Sequence, residues 1–325
     1  MNQALLHFVR TYGTLACFGL ILLFFWVMLP GTFMTGRNLF NITQQVSMLA
    51  VTAFAMTIVM TMGDYDLSVG SMASLAGIVL AVVFRLTDAP LIAMLAALVV
   101  GLAGGAFNGF LVSFLGILPF VATLGTLTIF SGLAFLISGG KTIFGSGIPA
   151  SLGEFARGGL PLWTQGDTAL VLPNLTLVAA ATLLVFWFIL QKTVFGRHLH
   201  AMGGSSEAAR LAGIDVRMTR LAAFALSGLA AAIAGLMYTA RVASANPVQG
   251  SGLMLDAIAA VFLGMTMNVN GEPKVLNTLA GVLFLGVLSD GLTQLSVDSY
   301  IRDILVGSII ILAVAASGLE KLRRN

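Results

Sequence analysis

The chain has 325 residues, of which 58% are hydrophobic and 9% charged, with a mean hydropathy of +1.01 and a formal net charge of +3. A soluble domain is about one-quarter charged, so this chain lacks the polar surface to coat a water-exposed globule and belongs in a lipid bilayer. So small a net charge bears on orientation rather than on nucleic acid, and the single cysteine, Cys17, excludes an internal disulfide, a thiolate metal site and a redox pair.

A spanning helix needs about 20 mostly apolar residues. Windows of that kind, bounded by Gly, Pro, Asn or charge, predict ten spans, at 14–30, 43–62, 69–84, 91–114, 118–137, 168–191, 219–240, 254–268, 276–294 and 301–318. The first follows Arg10 but is bulky at its end and lacks a small-x-small cleavage site, so it reads as a retained span rather than a signal peptide. The third and eighth are short, which predicts tilted, broken or half-inserted helices. The fourth carries Gly101, Gly105 and Gly109 in i, i+4, i+8 register, and the seventh repeats the spacing with Ser227, Ala231 and Gly235. Such stripes let backbones touch. The expectation is one all-α polytopic domain over 1–325, with no soluble domain.

Lys and Arg near span ends set orientation. The longest basic loop, 192–220, holds Lys192, Arg197, Arg210, Arg217 and Arg220, with His198 and His200 beside them. Six spans back lie His7 and Arg10, and four spans forward lie Lys321, Arg323 and Arg324. These clusters share one side only if even numbers of spans separate them, which puts loop 192–220 and both termini in the cytoplasm. The loop 138–167, with Lys141 and Arg157 against Glu154 and Asp167, then falls outside. Tyr12 and Trp187 lie near inner span ends, and Trp26, Tyr238 and Tyr300 near outer ones, as interface aromatics do. The segments 107–127 and 288–308 each carry an Asn-Gly or Asp-Gly pair in a helix, then a short loop and another span. That suggests an inverted repeat of five plus five spans.

Within the basic loop, "GGSSEAARLAGIDVRMTR" (203–220) concentrates charge in an otherwise apolar chain. Ser205 or Ser206 can cap a helix start, Glu207 suits its positive end, and Gly213 can close it in a left-handed conformation. The result is a two-turn helix about 10 Å long. A helix so short is unstable alone in water, so it docks on something: Ala208, Ala209, Leu211 and Ala212 give small apolar surface, and Arg210 and Arg217 charge.

"EAARLAG" (207–213) resembles the Glu-Ala-Ala, three residues, Gly pattern of ABC importer permeases, and "GDYDLSVGS" (63–71) is similar to the Gly-Gly-Ile-Asp-Leu-Ser-Val-Gly-Ser signature of their monosaccharide subfamily. That subfamily takes in ribose, xylose, arabinose, galactose and autoinducer-2 permeases. "FVATLGTL" (120–127), "FGRHLHAMGGSSEAARLAGIDV" (195–216), "LSGLAAAIAGL" (226–236) and "LDAIAAVFLG" (255–264) extend the resemblance along almost the whole chain. It implies a coupling helix over 206–213, with Ser206, Glu207, Ala208, Ala209, Arg210 and Gly213 seated on a separate ATPase subunit. It also implies a second permease subunit, an extracytoplasmic solute-binding protein, and a place in the bacterial inner membrane, with no cofactor. In keeping with this the chain has no G-x-x-x-x-G-K-[ST] phosphate loop; the nearest stretch, "GGK" (139–141), has Phe135 where the first Gly should stand. One departure is "GMTMNVNGEP" (264–273), where relatives carry a glycine-rich run, which predicts a stiffer turn.

Ionisable residues near apolar spans are costly, at about 2.5–3.5 kcal/mol each at a helix centre, and mark functional sites by default. They are Asp64, Asp66, Asp256, Asp290, Arg302 and Asp303. Asp66 can cap the third span, and Asp66, Ser68, Asn108, Thr123 and Asp256 are the candidate lining of a solute path. An ion-coupled secondary sugar transporter is the alternative and would need Asp66 or Asp256 at mid-membrane. An intramembrane aspartyl protease would pair Asp66 with Asp290, but "VLSD" (287–290) lacks the Gly-x-Gly-Asp such an enzyme needs.

Overall fold

The computed structural model describes residues 3–165, 168–267, 271–308 and 311. Apolar helices dominate: α1 (Gln3–Met28), α2 (Gly36–Thr61), α3 (Val69–Thr87), α4 (Pro90–Ser113) and α5 (Pro119–Ser138) precede a mixed segment of short strands and a short helix. After it come α7 (Asn174–Lys192), the short α8 (Val194–Gly204) and α9 (Ser206–Leu211), then α10 (Val216–Val242), α11 (Leu253–Thr266) and α12 (Val275–Gln294). Residues 299–308 are again helical. Among the described residues seven helices are long and apolar enough to cross a membrane (α2, α3, α4, α5, α7, α10 and α12), while Gly13–Met28 and α11 are apolar but shorter. Half of the predicted tenth span, with Lys321, Arg323 and Arg324 beyond it, lies outside the described residues, as do 268–270 of the atypical loop, whose Gly271 takes φ +65°.

Three boundaries differ most from expectation, the first being α1, which begins at Gln3 rather than 14. α2 begins at Gly36 rather than 43, because Thr35 caps it by accepting a hydrogen bond from the Asn38 amide at 3.2 Å, so the polar first turn is helical despite its composition. The sixth predicted span loses residues 168–173 to a strand. The loop 138–167 is structured: β1 (Ile143–Phe144), the amphipathic α6 (Ala150–Arg157) and β2 (Gly159–Gln165) follow one another, and β2 pairs antiparallel with β3 (Thr168–Pro173). The Gly166–Asp167 pair joining the two strands lies outside the described residues, Asp167 with it. β1 pairs with β4 (Ser244–Ala245) just beyond the end of α10.

The centre of the molecule is α10. Gly101 of α4 faces Gly228 and Ala232 of α10, Gly105 faces Phe224 and Gly228, and Gly109 faces Leu221, so closely that none of the three has room for a Cβ. The seam is antiparallel and brings backbone against backbone, the geometry small-residue stripes permit. The stripe Ser227–Ala231–Gly235 lies one position round from that seam and serves α3 instead: Gly235 abuts the Ala73 backbone and Ser227 reaches the turn before α3. α2 is the most enclosed helix, buried from Val46 to Thr61 save Leu49 and bonded to α12 through Thr57 and Thr278 at 2.8 Å.

Candidate functional site: a capped helix, a closed network and an open cavity

Ser205 accepts a hydrogen bond from the Ala208 amide at 3.2 Å and so caps α9; Ser206 instead donates to the Met202 carbonyl at 3.3 Å. At the other end Gly213 takes φ +85°, its amide reaching the Arg210 carbonyl and that of Ile214 the Ala209 carbonyl. A left-handed residue just past the helix closes it in this way. Glu207 and Arg210 form a two-pronged ion pair at 2.6 and 3.2 Å. The hydrogen bonds from Arg210, and then its charge, hold the Glu207 carboxyl below its ordinary value of 4.5. Ala209 alone turns inward; Glu207, Ala208, Arg210, Ala212 and Gly213 are exposed, and Leu211 is 78% exposed.

The five path candidates separate into two places. Asp66 does not cap α3; its Oδ1 accepts from the Ser68 amide at 3.0 Å and the Ser68 hydroxyl at 2.6 Å, and its Oδ2 from the Ser227 hydroxyl at 2.8 Å. Asn108 of α4 donates to the Ser68 hydroxyl at 2.8 Å, and Thr126 of α5 donates to the Asn108 carbonyl oxygen at 2.6 Å. Thr123 bonds back to the Pro119 carbonyl at 2.8 Å. Asp66, Ser68, Asn108 and Thr123 are at most 2% exposed. This network ties α3, α4, α5 and α10 together, and as it stands the four residues are shut off from solvent. Where no water can reach, an unpaired polar group costs several kcal/mol, which accounts for the closure. Thr126 and Ser227 are the members that the sequence did not put in this group, although Thr126 is three residues beyond Thr123 on the same helix face.

Asp256 lies elsewhere, half-buried on the first turn of α11. It lines a half-open cavity of about 610 Å³ bordered by α2, the last turns of α10, residues 244–253, α11, α12 and residues 302–306. That volume falls within the roughly 300–1,000 Å³ of small-molecule sites. Gln45, Tyr238, Arg241, Asn246 and Arg302 add polar groups to its wall. Arg241 reaches the Gln45 carbonyl at 3.4 Å, and Arg302 holds the Ser289 hydroxyl at 3.2 Å while pairing with Asp303 at 3.1 Å. Donor-only guanidiniums and an acceptor-only carboxylate facing one space suit a solute rich in hydroxyls, which both donate and accept. Asp290 is apart from Asp66, accepting from Asn38 and Gln294 at 2.9 and 2.8 Å, so among the described residues the two carboxylates of the protease reading have no common partner.

A predominantly helical membrane chain with a capped, exposed interhelical rod and a polar cavity has the parts of a solute carrier. Comparison with known proteins agrees. Residues 38–314 match the family described as "Branched-chain amino acid transport system / permease component". The ribose import permease of Escherichia coli (strain K12) is 37% identical over 286 residues, covering 88% of this chain and 87% of the relative. That of Bacillus subtilis (strain 168) is 36% identical over 318 residues, 96% and 95% of the two chains. The L-arabinose transport system permease of Escherichia coli (strain K12) is 35% identical over 303 residues, 93% and 89%. The chain belongs to this family of permease components. It is the membrane permease of an ABC importer in the bacterial inner membrane, not an enzyme, and ATP hydrolysis is carried by a separate subunit.

Proposed function

We propose that this permease imports a monosaccharide or related polyol delivered by a solute-binding protein, and that 206–213 is the helix through which the ATPase subunit drives it. The observation that carries the reading is α9 itself: capped at Ser205, closed at Gly213 and exposed at Leu211, it is joined to α10 by residues 212–215 alone. Ribose, allose and arabinose are named for relatives 32–37% identical over most of the chain, which favours a sugar over the amino acids of the family description.

In this reading ten spans cross the membrane with both termini and α9 in the cytoplasm, the halves forming an inverted five-plus-five repeat. Two permease subunits flank a shared path, with the binding protein docking on the side of α6 and the β2–β3 hairpin. The Asp256 cavity receives the solute, and the Asp66, Ser68, Asn108 and Thr123 network borders the path when the spans rock apart. Its weak, dispersed polar contacts suit a permease that must release what it binds.

The test is uptake of ribose, allose and arabinose into proteoliposomes holding the permease, its ATPase subunit and the binding protein. Uptake of at least one sugar is expected to require ATP and to persist after the proton and sodium gradients are collapsed. Uptake that continues without ATP and stops with the gradient would establish the ion-coupled alternative instead.

A further inference from the structure

Arg220 stands one turn inside α10, and its Nε lies 2.7 Å from Oδ2 of Asp64 in the linker between α2 and α3. The side chains are 20% and 9% exposed. A pair so enclosed is weak evidence for stability, because desolvating the two charges consumes most of the attraction, and an apolar pair of equal volume holds a fold as well. Its distinctive property is a fixed relative position. We propose that Arg220 and Asp64 are positioning residues that transmit the movement of α9 to the wall of the Asp256 cavity, an inference that rests on the importer reading above.

The connections are continuous. α9 passes to α10 through residues 212–215, a turn held by the Gly213, Ile214 and Val216 amides, and Asp215 caps α10 by accepting from the Met218 amide at 3.0 Å. A shift of α9 therefore moves the first turn of α10, where Arg220 sits. α10 then grips the linker twice, at Asp64 through Arg220 and at Asp66 through Ser227. The two grips are seven residues apart, about 10 Å along the helix, so linker and helix turn together rather than pivot about one bond. From the linker α3 runs directly to residues 249–250: the Gly250 amide donates to the Ser74 hydroxyl at 2.9 Å, Gly70 and Gly250 touch through their backbones, and Gln249 donates to Thr239 of α10 at 3.0 Å. Gln249 and residues 251–253 line the cavity, and the segment leads into α11, which carries Asp256.

The test uses the importer assembled from this permease and its ATPase subunit, with Cys17→Ala and Ser251→Cys introduced. Ser251 is exposed on the cavity wall, and the readout is its labelling rate by a membrane-impermeant maleimide, without nucleotide and with ATP plus vanadate. The parent complex is expected to change its labelling rate severalfold with nucleotide. Asp64→Asn and Arg220→Gln should lose that response while the complex still hydrolyses ATP, and the exchanged pair Asp64→Arg with Arg220→Asp should regain it. A purely structural pair would lower the amount of assembled complex and leave the nucleotide response of the remainder intact. Such an unaltered response, or an assembled exchanged pair without one, overturns the link; where a single variant fails to assemble, the exchanged pair decides. A parent complex with no response at all overturns the ATP-driven reading, and the link with it.

Discussion

From Leu221 to Gly235, α10 is pressed so closely on α4 and α3 that backbone meets backbone, whereas at Tyr238, Arg241 and Val242 the same helix opens onto a cavity of about 610 Å³. Side-chain size decides which behaviour holds. Where α10 and its neighbours offer glycine, alanine and serine, the polar atoms that remain must be satisfied inside, and Asp66 binds Ser68 and Ser227 for that reason. Where long polar side chains replace them the helices stand apart, and Asp256 faces space. Two aspartates in one membrane protein thus sit in opposite surroundings, the first bonded among packed helices and the second beside a cavity.

The contrast is broken most severely at the seam. Gly105→Leu would drive a side chain into the Phe224 carbonyl and the Gly228 backbone. Overpacking of this kind costs about 3 kcal/mol or more, so the expected outcome is loss of folded, detergent-soluble protein, read by size-exclusion chromatography. Asp66→Leu comes next. It leaves the Ser227 hydroxyl and the Ser68 O–H without their acceptor, although Ser68 keeps the bond from Asn108; at about 1–3 kcal/mol for such a loss the thermal midpoint should fall by several degrees, and an unchanged midpoint would contradict the network.

On the open side the balance reverses. Asp256→Asn is expected to leave stability within about 0.5 kcal/mol and to reduce sugar uptake markedly, so measuring both on one preparation sharpens the distinction from Asp66. The smallest effect on the fold belongs to Glu207→Lys, which removes an exposed pair and should leave the thermal midpoint unmoved while lowering sugar transported per ATP hydrolysed. The native pair also sets a pH dependence. Because the folded Glu207 titrates below its ordinary 4.5, the pair's contribution is complete above that value and is lost only as pH falls through the lowered one. Coupling between pH 6 and 8 should therefore not vary through Glu207, which a pH series of the wild-type transport ratio would check.

Much of this arrangement was legible in the residues. α4, α5, α11 and α12 start and stop within a few residues of where apolarity does, helped by Pro90 and Pro119 at first helical positions and by Gly139 in the left-handed conformation after α5. The features of α9 could be read because caps are local: serine, acid, alanines and glycine within nine residues. The β2–β3 hairpin was missed because the apolar run of Thr168–Pro173 was read as the first turns of the span that α7 forms, although Pro173-Asn174 marks a break there and a Gly-Asp pair between alternating segments was its signal. The network was half legible. Asp66, Ser68, Asn108 and Thr123 stood out as polar residues in apolar surroundings, yet Asp66 and Ser227 are 161 residues apart. Nothing in local spacing says that such groups satisfy one another rather than a solute. Arg220 likewise reads as one of several loop cations until the packing of α10 brings Asp64 to it.

The central claim, that α9 is covered by the ATPase subunit, is tested most directly by placing a thiol on its exposed crest. In a Cys17→Ala background, Leu211→Cys should react readily with a maleimide in inside-out vesicles holding the permease alone, and be protected severalfold once the ATPase subunit is bound. Equal labelling with and without that subunit, or labelling from the external face of sealed right-side-out vesicles, would contradict it.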